Sequence, residues 1–142
     1  MIIREAEPAD LFVLTELMNE LGYATTMDEM KLRFENIQNH RDYKTFVAAA
    51  NTDILGMVGL SKNYSYDQNG IYVRVLALVT RSSFRQQGIG KRLMDVAENW
   101  ARKIGANKVL LNCGNREERE IAQLFYKKIG YQIRSSGFFK KL

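Results

Sequence analysis

The sequence has one cysteine, one proline and one histidine among its 142 residues. The single thiol, Cys113, cannot close an internal disulfide and does not fit the cysteine-rich zinc frameworks. One proline beside ten glycines argues against long Pro-rich or low-complexity linkers. No apolar run approaches the roughly 20 residues that a membrane span requires. The start, MIIREAEPAD, lacks the charged-then-apolar layout of a secretion signal. These absences predict one domain over residues 1–142, cytoplasmic, with no metal and no membrane partner. What is present suits that reading, since 46% hydrophobic and 26% charged residues are enough to bury one core.

The net charge is +5, which permits an anionic partner without identifying one. No basic repeat, zinc finger or aromatic RNA-binding signature accompanies it, so no nucleic-acid partner is expected.

Periodicity gives the order of elements. MIIREAE reads as a strand, and Pro8 to Asp10 mark entry to a helix carrying Leu11, Leu14, Leu17, Met18 and Leu21, stopped by Gly22. Thr26 or Asp28 caps a second helix with Met30, Phe34 and Ile37 inside. KTFVAAA, ILGMVGLSKNYS and IYVRVLALVT read as three strands joined by the turns NTD and DQNG. A third helix places Ile89, Leu93, Val96, Ala97, Trp100 and Ile104 on one stripe and ends at Gly105. KVLLNC is a short apolar strand of the buried type. A fourth helix with Ile121, Leu124, Phe125 and Ile129 ends at Gly130, and YQIRS and FFKKL read as two closing strands. The order β-α-α-β-β-β-α-β-α-β-β is a mixed α/β, or α+β, domain of about seven strands. Ile71 to Cys113 forms a βαβ-like unit within it.

The chemistry concentrates in SSFRQQGIGKRLM, Ser82 to Met94. A helix start carries unpaired N–H groups and partial positive charge, so it accepts an anion where the backbone can come close. Gly88 and Gly90 clear that approach, and Arg85, Lys91 and Arg92 add cations. A P-loop would need glycine at position 85 and Ser or Thr after Lys91, but Arg85 and Arg92 stand there. A dinucleotide fingerprint would need a third glycine at position 93, which is leucine. What remains is Arg-x-x-Gly-x-Gly, Arg85 to Gly90, between a strand and a helix.

That stretch resembles the coenzyme-A loop of the GNAT superfamily of acyl-CoA-dependent N-acyltransferases. AQLFYKKIGY, Ala122 to Tyr131, is similar to the same family's later Ala-x-x-x-Tyr helix that ends in glycine and an aromatic residue. The spacing between the two segments and the element order from Met1 to Leu142 fit as well. The resemblance implies a GNAT-like, mostly antiparallel central sheet. It also implies acetyl-CoA as donor and a primary amine, on a small molecule, peptide or protein, as acceptor. Main-chain N–H groups of Gln86, Gln87, Gly88, Ile89, Gly90 and Lys91 would hold the pyrophosphate, with Arg85 at the head of the loop. The strand end Leu78, Val79 and Thr80 would pair with the pantetheine arm, although those side chains also suit plain core packing. Tyr126 matches the tyrosine that protonates the departing thiolate; from helix pattern alone it is a half-buried aromatic residue. Similar proteins commonly form homodimers, but nothing in this sequence shows one.

Departures from the family pattern matter too. Many members carry a carboxylate on the central strand, whereas IYVRVLALVT offers only Tyr72, Arg74 and Thr80 as polar side chains. Glu117, Glu118 or a water chain are the nearby alternatives, and no base is assigned. Arg119 stands where many members have an asparagine that contacts coenzyme A, and Asn115 is out of register. Cys113 reads as a buried, inert thiol, and His40 as a surface residue at a helix end. The acceptor would be framed by ELGYATTMDEM and GLSKNYSYDQNG, with Tyr23 and Tyr64 as substrate-contact candidates. No acidic cluster signals a polycationic acceptor, although Asp28, Glu29 and Asp67 could converge in the fold. A non-catalytic acyl-CoA-binding regulator on the same fold is the alternative.

Overall fold

The structure is a computed structural model that describes residues 1–113 and 120–142. The chain divides into two compact units, Met1–Leu110 and Leu111–Leu142.

The first unit is built on a sheet. Its strands are β1 (Ile2–Glu5), β2 (Tyr43–Ala50), β3 (Asp53–Tyr64), β4 (Ile71–Thr80) and β5 (Ala106–Leu111), side by side in that order. The β1–β2, β2–β3 and β3–β4 pairs are antiparallel. The helices are α1 (Leu11–Leu21), α2 (Met27–Gln38) and α3 (Ile89–Lys103). The start of β5 lies beside the start of β4, where Asn107 Nδ2 donates to the Asn69 carbonyl at 3.1 Å and the Lys108 ammonium sits 5.5 Å from the Tyr72 ring centre. β4, α3 and β5 therefore form the βαβ unit expected from the sequence.

Local chemistry explains the boundaries. Thr26 caps α2: its hydroxyl accepts from the Glu29 amide at 3.2 Å, while the Glu29 carboxylate accepts from the Thr26 amide at 3.2 Å. Gly22 closes α1 in the left-handed region, at φ +104°. Before α1, Pro8 opens a single 3-10 turn in which the Asp10 carboxylate accepts from the Glu7 amide at 2.8 Å. Arg4, on β1, donates two bonds to buried Asp10 at 2.8 and 2.9 Å. That fork holds the Asp10 carboxyl below its ordinary pKa, against the opposing effect of burial.

The sheet has two faces. Opposed residues of an antiparallel pair point the same way. Val47, Met57 and Val79 therefore share the face that packs with Leu14 and Leu17 of α1 and Met30 and Phe34 of α2. The other face holds Gly56, Val58 and Leu60, toward Leu93 of α3. A Cβ at Gly56 would lie 2.7 Å from the Val79 carbonyl oxygen and 3.2 Å from Leu93, so only glycine lets β3, β4 and α3 meet so closely. Two bulges interrupt the alternation: Leu55 is the extra residue of β3 against β2, and Leu76 that of β4 against β3.

In the second unit, α4 (Glu120–Lys128) ends at Gly130, whose φ is +102°. The Gly130 amide donates to the Lys127 carbonyl at 3.1 Å and the Tyr131 amide to the Tyr126 carbonyl at 2.9 Å, closing the helix.

Three expectations need correction. The sheet has five strands, not about seven: no strand forms over residues 131–142 among the described residues. Phe138 and Phe139 are 99% and 90% exposed. Strand propensity is realised only against a packed neighbour, and these side chains have none of the burial that would repay ordering. β5 is also not of the fully buried type. It is the last strand of the described sheet, and none of its residues is fully buried. Cys113 is half-buried rather than buried.

Candidate functional site

The site develops from the end of β4. After Thr80 the chain makes a short 3-10 turn, Ser82–Phe84, and then the loop leading into α3. Arg81 fixes this departure. Its amide donates to the Leu55 carbonyl at 2.8 Å and its Nε to the Ile54 carbonyl at 2.8 Å, both at the β3 bulge. Its guanidinium also pairs with Glu16 of α1 at 3.1 Å, and Glu20 accepts from the Ser82 amide at 3.2 Å. A bulge, a helix and the loop are thus tied through one arginine. Sequence reading missed this clamp, because its partners lie 65 and 27 residues away and no local pattern announces them.

The loop turns tightly. Gln86 and Gly88 both have left-handed φ, at 64° and 79°. Gln86 pays strain for that geometry, whereas Gly88 does not. Open space lies where a Gly88 Cβ would project. Gly88 is the N-cap residue of α3, with no side-chain cap hydrogen bond. The first N–H groups of the helix, on Ile89, Gly90 and Lys91, therefore lack that partner. Gly90 is helical and has no positive φ, so backbone conformation does not require glycine there. Close approach of another group would.

Electrostatics reinforce the arrangement. Ile71 to Met94 contains Arg74, Arg81, Arg85, Lys91 and Arg92 and no acidic residue. Among the described residues, Arg85 and Arg92 form no ion pair, while Lys91 is held by Asp95 at 3.0 Å. Uncapped donors, open space over Gly88 and arginines without an ion pair among the described residues fit a diphosphate.

The donor-side candidates thus occur in one stretch. Leu78 and Thr80 are half-buried at the end of β4, and Val79 is core. Arg85, Gln86, Gln87 and Gly88 are exposed in the loop, and Ile89 is buried at the helix start, with Gly90 and Lys91 beside it. The acceptor-side candidates belong to separate elements. Tyr23, 63% exposed, follows the Gly22 cap of α1. Tyr64, 70% exposed, lies opposite Ile71 on the α3 face of the sheet, with Lys62 5.4 Å from its ring centre.

Tyr126 belongs to the second unit. It is half-buried on α4, edge-on to Phe125 at 5.2 Å and Tyr131 at 6.0 Å. Asn115, Glu117, Glu118 and Arg119 lie outside the described residues. His40 is exposed; its Nδ1 accepts from the Asp42 amide at 3.1 Å, and its ring meets Tyr43 edge-on at 5.0 Å. No cluster of metal-ligating side chains occurs among the described residues.

The fold is thus a five-stranded, mostly antiparallel mixed sheet with an uncapped, glycine-opened helix after its fourth strand. The model of the Acetyltransferase (GNAT) family matches residues 11–131, and the chain belongs to that family. An uncharacterized N-acetyltransferase of Bacillus subtilis (strain 168), YhdJ, is 33% identical over 90% of this chain and 86% of its own length. The aminoalkylphosphonate N-acetyltransferase of Salmonella typhimurium is 28% identical over 87% of this chain and 91% of its own. A crystal structure of a GNAT acetyltransferase from Staphylococcus aureus superposes with a TM-score of 0.84 at 33% identity, covering 99% of this chain and 98% of the other.

Proposed function

We propose that residues 1–142 act as one cytoplasmic, acetyl-CoA-dependent N-acetyltransferase domain, moving an acetyl group to a primary amine by direct attack in a ternary complex. The observation that carries the donor is the uncapped start of α3, behind a glycine with open space and beside Arg85 and Arg92, which form no ion pair among the described residues. N–H groups of Gln86 to Lys91 receive the pyrophosphate, and main chain at Leu78 to Thr80 pairs with the pantetheine arm. Bound acetyl-CoA supplies an acetyl thioester. The acceptor nitrogen loses a proton and bonds to the acetyl carbon, the carbon–sulfur bond breaks, and the sulfur leaves with a proton. Tyr126 holds that last proton, a role that rests on its match to the family motif. A well-placed acid of this kind contributes about 10²–10⁴ in rate.

A coupled thiol-release assay over a panel of amines and peptides tests the reading. The panel includes aminoalkylphosphonates, after the Salmonella relative. Amine-dependent thiol release is expected. Tyr126→Phe should lower turnover about 100-fold while leaving acetyl-CoA affinity within a factor of about three. Equal turnover would remove Tyr126 from the chemistry. The second reading, a non-catalytic acyl-CoA-binding regulator, draws on the absence of any carboxylate on β4. Cofactor binding without thiol release to any amine would favour it.

A further inference from the structure

We propose that the acceptor carries, besides its amine, an anionic carboxylate or phosphonate, and that Arg74 receives this second group. The inference rests on the N-acetyltransferase reading and adds the acceptor's chemical class.

It starts from register. Ser61 lies opposite Arg74, and Asn63 opposite Tyr72, so these four side chains share one face of β3 and β4. Counting by twos along β3, that face is also the face of Met57, which packs beneath α1 and α2. One surface therefore changes character along its length, from an apolar floor to a polar patch. Ser61 is buried, and Arg74, Asn63 and Tyr72 are half-buried. Asn63 Nδ2 donates to the Ser61 hydroxyl oxygen at 3.0 Å, which leaves the Ser61 hydroxyl hydrogen to be donated elsewhere.

No acidic residue occurs on these strands: across Gly59 to Tyr64, Ile71 to Thr80 and Ala106 to Leu111 the charged residues are Lys62, Arg74 and Lys108, of which Lys62 lies on the opposite face with Tyr64. Lys108 is occupied by Gln68 Oε1 at 3.1 Å and by the Tyr72 ring. Among the described residues, the Arg74 guanidinium makes no ion pair or hydrogen bond. A half-buried guanidinium has five donors to satisfy, and a planar carboxylate or a phosphonate matches two of them at once.

The position suits an acceptor. Arg74 lies two residues before the bulge at Leu76, and the proposed donor arm occupies the strand beyond it. At roughly 3.3 Å per residue, Arg74 and Leu76 are about 7 Å apart along the strand. That is the span of a short amino acid or aminophosphonate whose amine reaches the bulge while its anion rests on Arg74.

The test compares β-alanine and 2-aminoethylphosphonate with propylamine and ethanolamine in the thiol-release assay. The anionic acceptors should exceed the neutral ones at least about tenfold in kcat/KM, as expected for a charged hydrogen bond. The two anionic arms show whether a carboxylate or a phosphonate is preferred. Arg74→Gln should collapse the anionic-to-neutral ratio toward one through KM, and Arg74→Lys should restore part of it. No side chain loses a partner in either variant, so both should fold, with circular dichroism as the check. Neutral amines matching the anionic ones would overturn the proposal and leave the N-acetyltransferase reading intact. An anionic preference that survives Arg74→Gln would overturn the assignment to Arg74. No thiol release with any amine, while acetyl-CoA still binds, would sink both readings together.

Discussion

The two halves of β4 follow different rules. Before the bulge, Tyr72 and Arg74 offer polar side chains on a strand with no acidic residue; after it, Ala77 to Thr80 offer small or apolar side chains and a continuous main chain. The far half leads into a loop and helix start whose assets are also main chain: N–H groups, left-handed turns and glycine clearance. Main-chain recognition demands little of side-chain identity, so it suits a donor shared by many relatives. Side-chain recognition depends on single residues, so on the proposed reading it is the acceptor end that sets specificity. The second half is thus read for family and the first half for specificity.

The strongest break of the donor half is Gly90→Glu. The position is helical, where glutamate is a better former than glycine, and an acid in the first turn suits the helix dipole. The backbone there accepts glutamate without strain, while a carboxylate beside the pyrophosphate should weaken coenzyme-A binding at least about 100-fold. Calorimetry on folded protein decides it, and unchanged affinity would falsify the placement of the diphosphate. Gly88→Glu should lose binding as well, but φ of +79° adds backbone strain and makes that variant the less clean probe.

A smaller effect is expected at the clamp. Arg81→Ala removes the bonds to Ile54 and Glu16 but leaves its own amide on Leu55. The loop should lose its set position, and coenzyme-A affinity should fall about tenfold, the scale of one or two charge-assisted hydrogen bonds. Arg81→Lys should not restore it, because a single ammonium cannot reach two acceptors with the geometry of the guanidinium fork. A lowered melting temperature with unchanged affinity would make Arg81 a stabilising residue with no part in positioning the cofactor loop.

What could be read in advance follows from the range of each interaction. The Thr26–Glu29 box and the closures at Gly22, Gly105 and Gly130 sit within a few residues of their partners, so their signals are local. The glycine turn between β4 and α3 was legible for the same reason. Arg81 was not, since Glu16 and Ile54 are brought to it only by the tertiary fold. Strand faces are hidden from the sequence for a related reason. Simple alternation would set Arg74, Leu78 and Thr80 together, but the extra residue Leu76 reverses the parity between them. Tyr23 and Tyr64 were chosen as the amphipathic tips of the two segments expected to frame the acceptor, and they sit on different elements, after α1 and at the end of β3. The expected strands over residues 131–142 rested on propensity, which cannot supply a partner for Phe138 or Phe139.

The smallest expected effect is the sharpest statement of the comparison. Leu78 lies opposite Val58 on the α3 face and is only half-buried, so Leu78→Ile changes side-chain shape and keeps every main-chain group. A volume-conserving swap of this kind costs less than about 1.5 kcal/mol in stability. If main chain holds the pantetheine arm, coenzyme-A affinity should stay within about twofold, because no bond to the cofactor is lost. Arg74→Gln, at the other end of the same strand, should by contrast change acceptor selectivity at least about tenfold. A tenfold loss of coenzyme-A affinity in Leu78→Ile, measured by calorimetry on folded protein, would mean that the side chain itself reads the donor. The division of β4 into a main-chain half and a side-chain half would then be wrong, and Val79 and Thr80 would have to be tested the same way.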